Sequence, residues 1–314
     1  MVNKPDILRI DREDISALFP PLDRRINKGD AGRVLCVCGS YDPTGSAMCG
    51  AAYLCAAAAY KCGAGIVEIF THRKNYEALA SLVPEAVFSL YDTDKESYDD
   101  ICARLALQIK KADSLILGCG LGKSDISKQL VKTTLDAVSC PLVIDADGLN
   151  IISDDKSLLP SLSDEQIART VITPHPGEMS RLCNLAIPEI LSDTVGVAKL
   201  FATQNGLTCL LKDNKTVITN GNTTFINHSG NPGMATAGMG DVLSGIIGAL
   251  LARNTMSEYA SRELDDISNI LYRTATAAYL HGLAGDIARD ELGEYSLTAS
   301  DVVRYIPKAI KSHK

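Results

Sequence analysis

The sequence contains no cluster of lysine and arginine that could track a phosphodiester backbone. With 31 basic residues against 38 acidic ones, a net charge of −7 and a pI near 5.3, nucleic acid is not an expected partner. It also has no apolar run of membrane-spanning length: the longest, residues 242–252, is well short of the roughly 20 residues required, so no membrane partner is expected. A secretion signal is missing too, since the opening stretch MVNKPDILRIDRED is charged throughout. These absences point to the cytoplasm. There is no low-complexity block and no internal repeat, and 46% hydrophobic against 22% charged residues is the balance of a compact soluble chain.

Ten cysteines are present, but they sit in apolar segments such as VLCVC, YLCAAAAYKC and LTCLL, and no signal leads to an oxidising compartment. They read as small buried hydrophobes. Cys36 and Cys38, two apart in an expected strand, share one face without obvious partners for a metal.

Short β-branched runs alternate with longer alanine- or leucine-rich segments along most of the 314 residues, the signature of a mostly parallel sheet with helices on both faces. Strands are expected at 34–38, 66–70, 114–118, 141–145, 170–173 and 208–212, and helices near 46–62, 98–111, 125–137 and 193–205. Residues 215–227 read as a hairpin around Asn220-Gly221-Asn222, forming an antiparallel edge. Further helices are expected at 241–253, 266–289 and 299–311. Nothing divides residues 1–314 into two domains.

Five stretches carry candidate chemistry, each with a plain structural alternative. In NPGMATAGMGDVLSG, residues 231–245, glycines 233, 238 and 240 suit positive φ and close approach to a ligand, and a helix starting at Asp241 would aim free N–H groups at an anion. A carboxylate there either takes a proton from an attacking hydroxyl or simply caps the helix. LGCGLG, residues 117–122, follows a buried strand, where open α/β sheets bind ligands or merely turn tightly. VIDADGLN delivers Asp145 and Asp147 to a strand end, fit for Mg²⁺ through water or for an Asx turn. ITPHPGE holds His175 extended between prolines and puts Glu178 in the first turn of a helix. LLKDNKT sends Lys212 out of a buried strand, either towards a phosphate or snorkelling to solvent.

As an ordered set, KGDAGRVLCVCGS, GAAYLCAAAAYKCGAGIV, LILGCGLG, VIDADGLN, VITPHPGE, NPGMATAGMGDVLSG and AAYLHGLAGDIA resemble the nucleotide-dependent NAD(P)H-hydrate dehydratases of the ribokinase-like superfamily. The resemblance covers about residues 28–306. It implies a three-layer α/β/α fold and an ADP- or ATP-dependent reaction, with Mg²⁺, on the S epimer of hydrated NADH or NADPH (NADHX, NADPHX). By motif match, Asp241 is the catalytic base, and Ala51, Gly122, His175 and Asp241 contact the hydrate. Lys212, Asp213, Asn214, Lys215, Thr216, Gly240 and Asn231 contact the nucleotide. A homo-oligomer, perhaps a tetramer, is implied as well. The epimerase domain often fused ahead of such proteins would not fit in the short leader. Three departures stand out: Cys119 where proline is common, Met239 where a small residue is common, and extra residues between Ser40 and Gly50.

Two rival readings remain: a kinase of the same fold acting on a vitamin-precursor alcohol such as a hydroxyethylthiazole or hydroxymethylpyrimidine, and a catalytically silent nucleotide-binding protein. The first would use Asp241 in the same way, but stop at a phosphate ester. The second would have no need of the base.

Overall fold

The structure, a computed structural model, describes residues 7–42, 46–253 and 266–312. Its strands are β1 Ile7–Leu8, β2 Arg33–Val37, β3 Tyr41–Asp42, β4 Ser46–Ala47, β5 Ile66–His72, β6 Val87–Tyr91, β7 Ser114–Leu117, β8 Leu142–Ile144, β9 Thr170–Ile172, β10 Thr208–Leu211, β11 Val217–Thr219 and β12 Thr224–Ile226. All but β3 and β4 join one sheet in the order β1-β12-β11-β10-β9-β8-β7-β2-β5-β6. From β6 through β10 every pairing is parallel, and β11 pairs antiparallel with both neighbours.

Helices cover both faces. On one lie α1 Arg12–Leu18, α2 Cys49–Lys61 and α3 Tyr76–Leu82. The other carries α4 Tyr98–Ile109, α5 Asp125–Ala137, α6 Ala146–Asp154, α7 Asp164–Ala168, α8 Pro176–Cys183, α9 Ile187–Ser192 and α10 Thr194–Asn205. The chain then returns to the first face with α11 Met239–Ala252, α12 Asp266–Leu292 and α13 Ala299–Lys311. The alternation of side chains along a strand produces two cores. Val34, Cys36 and Cys38 face one and Leu35 and Val37 the other, while Ile116 is split from Leu115 and Leu117 in the same way.

The three-layer α/β/α architecture agrees with the sequence reading, and several boundaries differ from it. The hairpin β11–β12 is not the sheet edge, because β1 pairs with β12 in parallel and takes that place. α2 begins at Cys49 and not at 46, because Ser46 and Ala47 pair with Asp42 and Tyr41. β8 stops at Ile144, where Asp145 turns the chain as the N-cap of α6. Strand β6 and helix α6 were not expected from the sequence, whereas α8 is the helix expected to carry Glu178 in its first turn. Among the described residues no helix is long and apolar enough to cross a membrane, and all ten cysteines are free thiols.

Strand order reverses beside β2, from which the chain builds outward to β5 and β6 on one side and to β7 through β10 on the other. The loops after β2 and β7 therefore diverge at this point and leave a crevice at the carboxyl ends of the strands. Gly39 N donates to the Cys119 carbonyl across it (2.9 Å). Over this crevice α11 packs against α2 at very short range. A Cβ on Gly245 would overlap the Cys55 carbonyl and lie 2.9 Å from Ala58 Cβ.

This contact generates a test with opposing terms. Helix propensity favours Ala over Gly by about 1 kcal/mol. Overpacking against a backbone carbonyl costs about 1–3 kcal/mol. Gly245→Ala is therefore expected to lower Tm in a thermal melt, and a raised Tm would mean that the α2–α11 seam has room for a methyl group.

Candidate active site

The site grows from four strand ends. After β7 the chain needs left-handed backbone at Gly118 (φ 115°), Gly120 (61°) and Gly122 (70°), and a Cβ on Gly118 would run into the Asp145 carbonyl. Glycine is the residue that permits this turn without strain. The two aspartates after β8 divide their work. Asp147 Oδ2 accepts from Gly122 N (2.8 Å) and so pins the glycine loop. Asp145, fully buried, accepts from Ala146 N and from Lys212 Nζ (2.8 Å) through Oδ1, and from Ser244 Oγ (2.8 Å) through Oδ2. With both oxygens committed, Asp145 is the counter-ion of Lys212, and the water-mediated Mg²⁺ pair suggested by the sequence does not form at these two residues.

Lys212 follows β10, where its N–H donates to the Pro174 carbonyl (2.8 Å). Its ammonium lies between Asp145 and Glu178, the latter at 3.8 Å. Burial alone would lower the lysine pKa, but the two carboxylates outweigh it and hold the group above its ordinary value. Burial would likewise raise Asp145, yet Lys212 and Ser244 keep it below the ordinary range. Glu178 ends up raised, because burial exceeds the help it receives from Lys212. Lys212 is thus held from below by a carboxylate and does not snorkel.

His175 is the N-cap of α8. Its Nδ1 accepts from Gly177 N (3.0 Å), while Glu178 reaches back to accept from His175 N (2.8 Å). The imidazole is half exposed, at 51%, with Nε2 lying 3.5 Å from Glu178 Oε1. The presentation expected from the flanking prolines is present, and the buried, Lys212-paired state of Glu178 goes beyond what its place in a first helical turn suggested.

The helix expected to start at Asp241 starts at Met239, with Gly238 at φ 91° as its N-cap and no side chain capping it. Asp241 is therefore not the cap that the sequence offered as its structural alternative, but an acidic residue in the first turn. Of the three loop glycines only Gly238 has positive φ. Gly233 is required for space instead, since a Cβ there would overlap the Glu294 carbonyl, whereas a Cβ on Gly240 would lie 3.3 Å from Lys212 Nζ and 3.4 Å from Asp145 Oδ2, tight but not overlapping. The uncapped N–H groups of α11 leave an anion site at the crevice. Asp241 is half-buried in its first turn, and its pKa is pushed up to about 9, first by burial and then by Cys119 and the Asp145 charge, with Lys212 opposing.

A cavity of about 700 Å³ opens beside this helix end, a volume within the range of small-molecule sites. It gathers His175, Lys212, Asp213, Asn214, Thr216, Asn231 and Gly240. Lys215 is exposed outside it. Asn231 lines it while its side chain caps Gly233 N (3.1 Å) and donates to Asp286 (3.0 Å). Ala51 and Gly122 lie outside this cavity, on the glycine-loop side, where Ala51 Cβ sits against Gly120 and Gly122 against Ser40. Asp241 is not among the residues that line the cavity, though its neighbours Met239 and Gly240 are, and its charge is influenced by both Cys119 and Lys212. Sequence reasoning missed Ser244 and His281. His281 lines the cavity with Nε2 shielded and unpartnered, and burial, then Lys212, lowers its pKa to about 4, so it is neutral. It lies within the AAYLHGLAGDIA motif, which carried no assigned role.

The fold and this crevice define a ribokinase-like α/β protein. Likeness to solved structures agrees: an Enterococcus faecalis ribokinase-like superfamily protein superposes with a TM-score of 0.80 at 24% identity over 100% of this chain and 98% of its own. An ADP/ATP-dependent NAD(P)H-hydrate dehydratase from Bacillus subtilis gives 0.77 at 24%, over 98% and 99%. Residues 34–308 match the NAD(P)H-hydrate dehydratase family, and the chain belongs to it. Among curated relatives, the bifunctional NAD(P)H-hydrate repair enzyme of Moorella thermoacetica is 36% identical over 91% of this chain and 50% of its own length. The chain spans about half the length of the bifunctional relatives it matches. The ADP-dependent (S)-NAD(P)H-hydrate dehydratase of Cenarchaeum symbiosum is 30% identical over 96% of both chains.

The elevated Asp241 has a thermodynamic consequence. In the unfolded chain it ionises near its ordinary 3.8 but in the folded protein only near 9, so the folded state holds the extra proton between those values. Its contribution to stability is full below the unfolded pKa and is lost as pH rises through about 9. Asp241→Asn removes this term. Its Tm is expected to exceed that of the wild type, by an amount that grows between about pH 6 and 9. Parallel Tm curves for the two proteins would mean that Asp241 ionises as an ordinary surface carboxylate.

Proposed function

We propose that this chain catalyses the ADP- or ATP-dependent dehydration of the S epimers of NADHX and NADPHX, yielding NADH or NADPH, inorganic phosphate and AMP or ADP. The observation that carries the reading is Asp241 in the first turn of an uncapped helix whose Met239, Gly240 and Leu243 line the cavity that also holds Lys212. The names of the full-length relatives support the same chemistry.

In this reading the nucleotide lies in the cavity along Lys212–Thr216, Asn231 and Gly240, its terminal phosphate directed at the α11 N–H groups. Mg²⁺ arrives as part of the nucleotide complex. The hydrate lies across Asp241 against Ala51, Gly122 and His175. As the ring hydroxyl attacks the terminal phosphoryl group, Asp241 takes its proton, and the helix N-terminus stabilises the charge that develops. Hydroxide is a poor leaving group and phosphate a good one. The ring nitrogen's lone pair then expels phosphate, and loss of a carbon-bound proton restores the dihydropyridine. Lys212, fixed by Asp145, balances the phosphate charge and lowers the cost of ionising Asp241.

The decisive experiment supplies NADHX with Mg²⁺ and either nucleotide and follows phosphate and NADH together. One phosphate per NADH with no accumulating ester is expected. In a vitamin-precursor alcohol no ring nitrogen is placed to expel phosphate from the side-chain carbon, so stoichiometric ester from a thiazole or pyrimidine alcohol, with NADHX inert, would transfer the assignment to a kinase.

Asp241→Asn should lower kcat by about 10²–10⁴-fold while still binding nucleotide. Because the wild-type base is protonated at neutral pH, kcat/KM should climb with pH towards about 9. A profile already flat at pH 6 would mean that Asp241 ionises well below 9 in the free enzyme or is not the base.

On the nucleotide side, Gly240→Val should crowd Lys212 Nζ, and His281→Ala should remove the unpaired acceptor at the cavity wall. Calorimetry is expected to show weaker ADP and ATP binding in both, with the Val variant the more affected. Unchanged affinities would place the nucleotide elsewhere.

A further inference from the structure

Behind the floor of the crevice, three cysteines from separate elements converge. Cys38 lies just past β2, Cys55 in α2 and Cys119 in the glycine loop after β7. Their sulfurs all lie within 4.8 Å of one another, and all three residues are fully buried. The surroundings are rich in acceptors: Cys38 Sγ faces the Ile116 carbonyl (3.8 Å), Cys55 Sγ the Asp241 carbonyl (3.2 Å) and Cys119 Sγ the Asp145 carboxylate (4.0 Å). A thiol is a weak donor, so these contacts stabilise the metal-free state only modestly. Three buried sulfurs from three elements thus lie side by side, which sets this trio apart from an ordinary buried cysteine.

We propose that Cys38, Cys55 and Cys119 form a three-coordinate site for one soft monovalent cation, Cu(I). The ligand set argues for this ion. Thiolates select Cu(I) and zinc among biological cations. Zinc in a protein takes four ligands, but Asp145 already has both oxygens engaged by Ala146, Lys212 and Ser244, and Cys36, the thiol beside Cys38, does not join the three sulfurs that lie within 4.8 Å of one another. Metal–sulfur bonds of about 2.3 Å in a trigonal plane place the sulfurs about 4.0 Å apart, so the cluster closes on an ion by small side-chain movements. On binding, sulfur–metal bonds replace S–H bonds, the released protons leave to solvent, and no electron is transferred. The bound ion ties the end of β2, helix α2 and the glycine loop to one point. This site does not depend on the proposed reaction and is read out without it.

The test uses full-length protein in which the partly exposed Cys49, Cys102, Cys140 and Cys183 are replaced by serine, so that the remaining thiols are buried. Cu(I) is titrated anaerobically against a chromogenic Cu(I) chelator. One tight equivalent is expected, with a rise in Tm and three sulfur neighbours by X-ray absorption at the copper edge. Cys38→Ala, Cys55→Ala and Cys119→Ala in that background should each weaken the equivalent by at least about tenfold. Cys209→Ala, which removes a buried thiol from the opposite core, should leave it intact. Equal weakening by Cys209→Ala, or fewer than three sulfur neighbours in the protein carrying all three cysteines, would overturn the proposal. The absorption measurement decides the matter even if an alanine variant fails to fold.

Discussion

The buried ion pair between Lys212 and Asp145 is the contact on which the site's geometry rests. Asp145 ends β8, caps α6, and through Ser244 grips the second turn of α11, while Lys212 ends β10. One carboxylate therefore registers two strand ends and two helices from opposite faces of the sheet. Such a pair gives little net stability, since two charges leave water, but losing one partner strands the other in a medium that solvates it poorly. Its value lies in position. The ammonium is kept charged and aimed at the crevice, and the carboxylate is kept ionised so that its field reaches Asp241.

That field is one reason Asp241 holds its proton to high pH. A helix start with open N–H groups favours the ionised carboxylate, while burial and the neighbouring Asp145 oppose it, and burial is the larger effect. The residue is consequently poorly suited to the free protein and better suited to one in which added positive charge lies nearby. Strain of this kind, concentrated at one side chain and tolerated by a well-packed surround, is typical of functional sites.

The sequence made the parallel sheet legible, because each buried strand is short, β-branched and bounded by turn residues, and the Asn220-Gly221 hairpin because Asn220 Oδ1 accepts from Asn222 and Thr223 N, with Gly221 at φ 92°. Asp241, Lys212, His175 and Gly240 were also legible, as polar residues or glycines at strand or helix ends. What it could not reveal was pairing over long separations. Nothing local to VIDADGLN marks Asp145 as the partner of a lysine 67 residues away, and nothing in three apolar segments shows that Cys38, Cys55 and Cys119 meet. The start of α11 was misread because Met239 and Gly240 look like loop, yet both have helical geometry once Gly238 has turned the chain. Edge strand β1 was invisible because two residues carry no periodicity.

The near-contact of Gly245 with the Cys55 carbonyl has a mechanical implication. Helix α2, which carries Ala51, and helix α11, which carries Asp241, meet with almost no side chain between them and so behave as a single stiff beam. Any opening to admit a ligand must then come from parts not fastened to that beam, such as the β3–β4 hairpin that leans on His72 through Tyr41. The distance between Ala51 and Asp241 is thereby fixed before any ligand arrives, so selectivity under the proposed reaction would depend on what fits the gap and not on how far the gap can stretch.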